Sequence, residues 1–375
     1  MKSLELFSGA GGLATGLSLA SFEHVALVER NKHANATLRQ NFDPNKVFCG
    51  SVQDFDFSSV NGVDLVAGGP PCQPFSLGGK HRADQDERDL FPQAIRAIET
   101  LAPKAFIFEN VKGLLRASFA DYFEYICLRL SYPGAIPNVN DWRQHLLELQ
   151  ELGDKYSGLT YNVDFKLLNA ADYGVPQNRE RVFIVGFRSD LNLKWSFPKP
   201  THSRERLLWN QDVMGEYQKA SRANHLQPWI TLQDALYDVP DPQSQHGIPD
   251  HVFRDGARSY PGHTGSPLDW VAKTIKAGDH GVPGGENMIR FADGTVRYLT
   301  VFEAKKLQTF PTHYQIEGAW TEAMRQIGNA VPVKLAQVLG EQLRLVLDAS
   351  NSSISKIVPP FQPSLFESLQ TLSNV

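Results

Sequence analysis

A doubly wound α/β sheet domain joined to a smaller, irregular second domain is the fold class that this 375-residue sequence predicts. Three observations carry it. Through the first half, short apolar runs alternate with stretches of helical spacing, the pattern of a sheet buried on both faces. Around residues 188–200 that rhythm stops and prolines enter, in "DLNLKWSFPKPTHS". Helical spacing then returns over 299–311 and 331–347.

Taken in order, "SLELFS" (3–8) reads as a strand, "GLATGLSLASF" (12–22) as a helix, "HVALVE" (24–29) as a strand and "NKHANATLRQNF" (31–42) as a helix. "VDLVAGG" (63–69) is the next strand, 90–103 a helix, and "AFIFENV" (105–111) a strand, with a further strand at "VFIVGF". In such sheets ligands bind outside the carboxyl ends of the strands. "FSGAGG", "VER", "GGPPCQPFS" and "FENV" all fall at such ends, so four motifs converge on one rim.

Composition sets bounds only. Hydrophobic residues at 42% and charged residues at 21% are those of a folded globular protein, and a net charge of −4 excludes indiscriminate nucleic-acid binding while leaving room for a local basic face. Cys49, Cys72 and Cys127 form no C-x-x-C pair, hence neither a disulfide framework nor a zinc site; reduced thiols point to the cytoplasm. The chain runs straight into its first strand and holds no apolar run long enough for a span, so a soluble, unsecreted protein is expected, without membrane partners.

"LFSGAGGLATGL" is a strand ending in a glycine-rich turn that feeds a helix. It suits close approach by a polar ligand, though it is neither G-x-G-x-x-G nor a P-loop, and a plain tight turn has the same look. Glu29, about 20 residues on, ends the second strand where a carboxylate holds a ribose diol in nucleotide-type sites, which favours an adenosyl cofactor over an exposed surface acid. Cys72 stands among Pro70, Pro71 and Pro74 at a strand end. A rigidly held thiol there is either a nucleophile or a small buried hydrophobe, and Glu109 at the end of the next strand tips the choice toward a nucleophile.

With these stretches in view, the chain resembles a DNA (cytosine-5)-methyltransferase of the bacterial restriction-modification type. The resemblance runs through "LFSGAGG", "VER", "GGPPCQPFS", "ENV", "QNRERV", "RYLTVFEAKKLQTFP" and "QIGNAVP", in the family's order, over almost the whole chain. It implies a Rossmann-like mixed sheet, S-adenosyl-L-methionine as cofactor and double-stranded DNA as substrate. By this likeness Cys72 adds to C6 of cytosine, Glu109 contacts N3 and the exocyclic amine, Arg181 bonds the cytosine O2, Arg179 supports the catalytic loop, and Asn110 ties the loop around Cys72. It puts the cofactor against Phe7, Ser8, Gly9, Gly11, Gly12 and Leu13, with Glu29 on the ribose, Arg30 beside the adenine, and Pro70, Leu90, Asn329, Ala330 and Val331 lining the pocket. Where the family usually shows Gly-Asp-Ile/Val, this chain has Gly50-Ser51-Val52, so the adenine contact falls to Ser51 or to Asp54.

The base must be turned out of the duplex to reach such a rim. The polar stretch 76–89 is read as a lid closing on DNA, with Gln73, Ser76, Lys80, His81, Arg82 and Arg88 as DNA contacts, the alternative being a merely solvated loop. The catalytic unit is expected at 1–190 with 320–349, the target-recognition unit at 191–319, and a mobile tail at 350–375. Residues 131–145 look like a surface insertion. The histidines beyond position 200 lack metal-ligand spacing, so no metal is expected. A monomer, paired in the cell with a cognate restriction endonuclease, is the expected state. Two rivals remain: a tRNA cytosine-5 methyltransferase, whose Cys-Phe-Thr tripeptide this chain lacks, and a catalytically silent DNA-binding homologue, against which Cys72, Glu109 and Arg181 speak.

Overall fold

The computed structural model describes residues 1–71, 90–136, 141–212, 225–277 and 287–351. A seven-stranded sheet is its centre: β1 (Lys2–Leu6), β2 (Glu23–Glu29), β3 (Val47–Cys49), β4 (Leu65–Gly68), β5 (Ala105–Val111), β6 (Tyr161–Asn169) and β7 (Glu180–Arg188), in the order 3-2-1-4-5-7-6. β1 to β5 run parallel, and β7 lies antiparallel between β5 and β6.

Side-chain alternation explains why both faces are covered. In β5, Phe106 and Phe108 pack to one side with α3 (Phe91–Leu101) and α4 (Ala120–Ser131). Ala105 and Ile107 pack to the other, with α1 (Gly12–Leu19) and the C-terminal helix α10, which runs Val333–Asn351. α2 (Lys32–Asn41) starts at Asn31, whose side chain accepts from the His33 and Ala34 amides at 3.0 Å each, so the "VERN" strand end doubles as a helix cap.

Of residues 131–145, expected as a surface insertion, both ends belong to helices, Ile136 between them is exposed, and 137–140 lie outside the described residues. Ser131 closes α4, and α5 (Trp142–Leu152) opens with Trp142 and His145 buried against Tyr122 and Tyr125. At the C-terminus α10 continues to Asn351, two residues into the expected tail; the remainder, 352–375, lies outside the described residues.

The irregular half contains α6 (Arg204–Asn210), α7 (Leu232–Leu236), short strand pairs, and α8 (Val301–Leu307), which begins with a Thr300–Glu303 capping box. α9 (Trp320–Asn329) leads back toward the sheet. A third core joins Leu232, Ala272, Ile289 and Leu299 to Ala10 and Val333, so the irregular half and the sheet domain bury apolar surface together.

Candidate active site

The carboxyl ends of β1, β2, β4 and β5 border a cavity of about 630 Å³, within the range of sites for a small organic ligand. Phe7 and Gly9 both take positive φ (56° and 54°), turning the chain sharply out of β1. A side chain at Gly12 would lie 2.2 Å from the Val331 carbonyl, so only glycine lets the "GNAV" stretch close that wall. Gln308 holds the stretch from behind, donating to Ile327 O (2.7 Å) and Ala330 O (3.2 Å).

Glu29 is fixed from two sides: Oε2 accepts from the Gly9 amide at 2.8 Å and Oε1 from the Asn31 amide at 2.7 Å. Each oxygen keeps lone-pair capacity toward the cavity, which suits a diol. Across the cavity Glu109 Oε1 meets Arg181 Nε at 2.9 Å, both side chains largely buried. Gly69 permits this, since a Cβ there would come within 3.3 Å of Glu109 Oε2. Asn110 Nδ2 donates to Pro70 O at 2.9 Å, and Leu90 N donates to Pro71 O at 3.1 Å. Pro70, Pro71 and Leu90 all line the cavity.

Arg179 is wholly buried, and its burial pulls the guanidinium well below its ordinary basicity. Nη2 donates to Gly328 O at 2.9 Å and Nη1 to Ile275 O at 3.4 Å. It therefore ties the cavity wall to the irregular half. Gly328 adds a second tie: a Cβ there would stand 2.6 Å from the Ala277 amide nitrogen.

Most of the expected cofactor contacts thus surround one cavity. Phe7, Ser8, Gly9, Gly12, Leu13, Glu29, Arg30, Ser51, Val52, Pro70, Leu90, Asn329, Ala330 and Val331 line it, together with Glu109, Asn110, Arg179 and Arg181. Two do not: Gly11 packs behind the turn near Tyr314 and Leu38, and Asp54 is exposed outside the lining. Cys72, Gln73, Ser76, Lys80, His81, Arg82 and Arg88 lie outside the described residues.

Gly328, first residue of the "GNAV" stretch expected to line the pocket, does so; sequence reasoning missed Glu5, Arg325 and Gln326, which also line the cavity. Glu5 carried a signal, an acid in the middle of an apolar strand. Its buried carboxyl has one oxygen without a partner, and desolvation raises it well above the usual carboxylate range. Gln326 stands inside "QIGNAVP", while Arg325, paired to both carboxylate oxygens of Glu322, had no local sign. Among the described residues no group of three or more His, Cys, Asp or Glu could hold a metal ion, and no helix is long and apolar enough to cross a membrane.

The sequence matches the family model for C-5 cytosine-specific DNA methylase over residues 1–134 and 136–344, taking in the sheet, the cavity and the irregular half. The chain belongs to that family. Its relatives include the type II methyltransferase M.NgoMIV of Neisseria gonorrhoeae, 33% identical over 362 residues that cover 93% of this chain and 99% of the relative. Another is the type II methyltransferase M.PspPI of Psychrobacter sp., 32% identical over 364 residues, covering 94% and 80%. Among solved structures, a putative DNA modification methyltransferase encoded within an E. coli prophage superposes with a TM-score of 0.57 at 22% identity, over 93% of this chain and 99% of that one. The S. pombe Dnmt2 methyltransferase does so at 0.59 and 17%, over 94% and 99%. The mixed sheet of this methylase is therefore that of the methyltransferase fold.

Proposed function

We propose that the chain transfers a methyl group from S-adenosyl-L-methionine to C5 of a cytosine turned out of a short, specific double-stranded DNA site, with Cys72 as nucleophile. The observation that carries the reading is the Glu109–Arg181 ion pair, which shares one cavity with the diol-suited Glu29 and with Pro71, the chain neighbour of Cys72. The other two thiols do not compete. Cys127 is buried in the core, where desolvation pushes the thiol far up, and Cys49 lies off the cavity.

C5 of cytosine is a poor nucleophile until a thiolate adds to C6. The Cys72 sulfur forms that bond while Glu109, held by Arg181, contacts N3 and the exocyclic amine, so that the electron pair of the C5–C6 bond becomes available at C5. Arg181, fixed by Glu109, faces O2 and stabilises charge that gathers there. The bound cofactor supplies an electrophilic methyl group on its sulfonium, and the residues around it fit such a group: an open backbone turn at Gly9, a pre-set carboxylate at Glu29, and an unpartnered buried oxygen on Glu5. Loss of the C5 proton to a base then breaks the sulfur–C6 bond and returns the thiol.

The catalytic unit comprises 1–190 with 320–349, the recognition unit 191–319, and a cytoplasmic monomer serving beside a cognate restriction endonuclease completes the reading. The test is a duplex carrying 5-fluorocytosine with tritiated cofactor. Because fluorine at C5 cannot leave as a proton does, a protein–DNA adduct that survives denaturant is expected, and Cys72→Ala is expected to form none. Adduct formation by Cys72→Ala would remove the assigned nucleophile.

A further inference from the structure

Leu4 and Leu6 of β1 pack into the core shared with α3, so Glu5 between them turns to the opposite face, beneath the first turn of α1. It is 1% exposed, lines the cavity and has Oε2 without a hydrogen-bond partner. Strand register fixes its depth. Leu6 lies beside Val28 and Gly68, and Gly68 beside Phe108, so Glu29 and Glu109 both stand level with Phe7. Glu5, two residues back, lies roughly 7 Å below that rim.

The elements around this carboxyl leave it unsupported. α1, β4 and the glycine turn carry no titratable side chain. β2 brings Glu29, while its His24 sits lower, level with Ser3, and Tyr314 approaches from the stretch between α8 and α9. Neither Glu29 nor Tyr314 can balance a negative charge at Glu5. Burial therefore raises the carboxyl well above the usual carboxylate range; the Ala14 backbone N–H works against the rise and Glu29 adds to it. In the unliganded chain Glu5 holds its proton.

The next step rests on the adenosyl cofactor proposed above. With the ribose on Glu29 and the methyl-bearing sulfur level with Glu109, the part left to reach down to Glu5 is the amino-acid arm, whose ammonium is a cation with three donors. We infer that Glu5 is the counter-ion of that ammonium and gives its proton to solvent as the arm docks, so that cofactor binding is linked to proton release. The exchange balances: the carboxyl O–H bond breaks, its proton passes to buffer, and the ammonium keeps its own three protons while donating a hydrogen bond to the carboxylate. A charge-assisted bond thereby replaces a buried acid without a partner. Because the liganded chain holds fewer protons, affinity climbs as pH rises, by up to about tenfold per unit.

Calorimetric titration with S-adenosyl-L-homocysteine, run at pH 7 in two buffers of different ionisation heat, counts the protons without turnover. The wild type should release about half a proton or more. With 5′-methylthioadenosine, which has the ribose and base but no amino-acid arm, release should be close to none. Glu5→Gln keeps the shape and has no proton to lose. It should bind S-adenosyl-L-homocysteine about tenfold or more weakly at pH 8 with a heat that does not depend on buffer, and the gap from wild type should close as pH falls. Buffer-independent heat in the wild type, equal release with both thioethers, or undiminished release in Glu5→Gln overturns the inference and leaves the cofactor assignment standing. The first two readings need only the wild type, so they decide the matter even where the variant does not fold. Failure of the wild type to bind either thioether overturns both.

Discussion

At the scale of single residues, two side chains make sharp demands. Glu29 has each oxygen engaged by a backbone amide, so Glu29→Ala removes both the diol acceptor and the clasp on the glycine turn. Cofactor affinity should drop by about 10- to 100-fold, read as a dissociation constant, with DNA affinity little changed. An unaltered cofactor constant would strip Glu29 of its role. His24 is the second: its ring bonds Ser3 and Ser18 at 2.9 Å each beneath α1, and burial lowers its pKa to about 4 from 6.5. Because the folded pKa lies below the unfolded one, the unfolded chain binds more protons between pH 6.5 and 4, and stability from this group is present above that window and lost as pH falls through it. Glu5, raised by desolvation, works in the opposite sense, losing stability as pH rises. The difference between wild type and His24→Gln therefore isolates the histidine. From pH 7.5 to 5 the wild type should lose about 2 kcal/mol more than the variant in urea unfolding. Parallel losses would show that His24 does not stay neutral in the fold. The place of His24 was not legible in the sequence, since one histidine in an apolar run does not announce its polar partners, Ser3, Ser18 and the Ala14 carbonyl. Glu29 was legible because a carboxylate at the second strand end has a fixed position relative to the glycine turn.

At the scale of elements, close backbone approach rather than side-chain chemistry sets the cavity walls. Gly328→Ala forces a methyl group within 2.6 Å of the Ala277 nitrogen, so the segment clamped by Arg179 and Gln308 must shift. Stability should fall by about 2 kcal/mol, and cofactor affinity should fall with it because the same segment is cavity wall. Gly247→Ala, with nothing within 4 Å of its new methyl group, should move neither and serves as the control. If Gly328→Ala matched Gly247→Ala in a denaturation midpoint, the close contact would carry no energy. β1, β2, β4 and β5 were readable in the sequence as apolar runs bounded by turn residues, and α1 to α3 as stretches of helical spacing between them. The edge strand β3 spans only Val47–Cys49, too short for a periodic signal, and α5 was masked by the prolines and asparagines before it. The place of β7 between β5 and β6 depends on long-range pairing, Val111 opposite Arg181 among others, which no local pattern encodes.

For the molecule as a whole, the question is whether the irregular half is a separate folding unit or a covering of the sheet domain. Its packing answers for the second. Leu232, Ala272, Ile289, Leu299 and Tyr314 share a core with Ala10, Ala330 and Val333, and Tyr314 Oη donates to Ala10 O at 2.6 Å beneath the glycine turn. Polar ties add to this: Asn178 N donates to Ala272 O, Thr274 Oγ1 to Asn178 O, Ile275 N to Gln177 Oε1, and Arg179 bridges Ile275 to Gly328. Residues 191–319, if excised, would expose that apolar surface and lose these polar ties, so the segment should not fold alone. Two reporters can see the halves separately. Four of the six tryptophans, Trp195, Trp209, Trp229 and Trp270, fall between residues 191 and 319, whereas most of the regular helix and strand belongs to the sheet domain. In urea the fluorescence and far-ultraviolet dichroism transitions should coincide, as a single cooperative unit requires. Tryptophan fluorescence that changes at distinctly lower urea, with dichroism intact, would mean that the irregular half unfolds by itself and that its shared core contributes little.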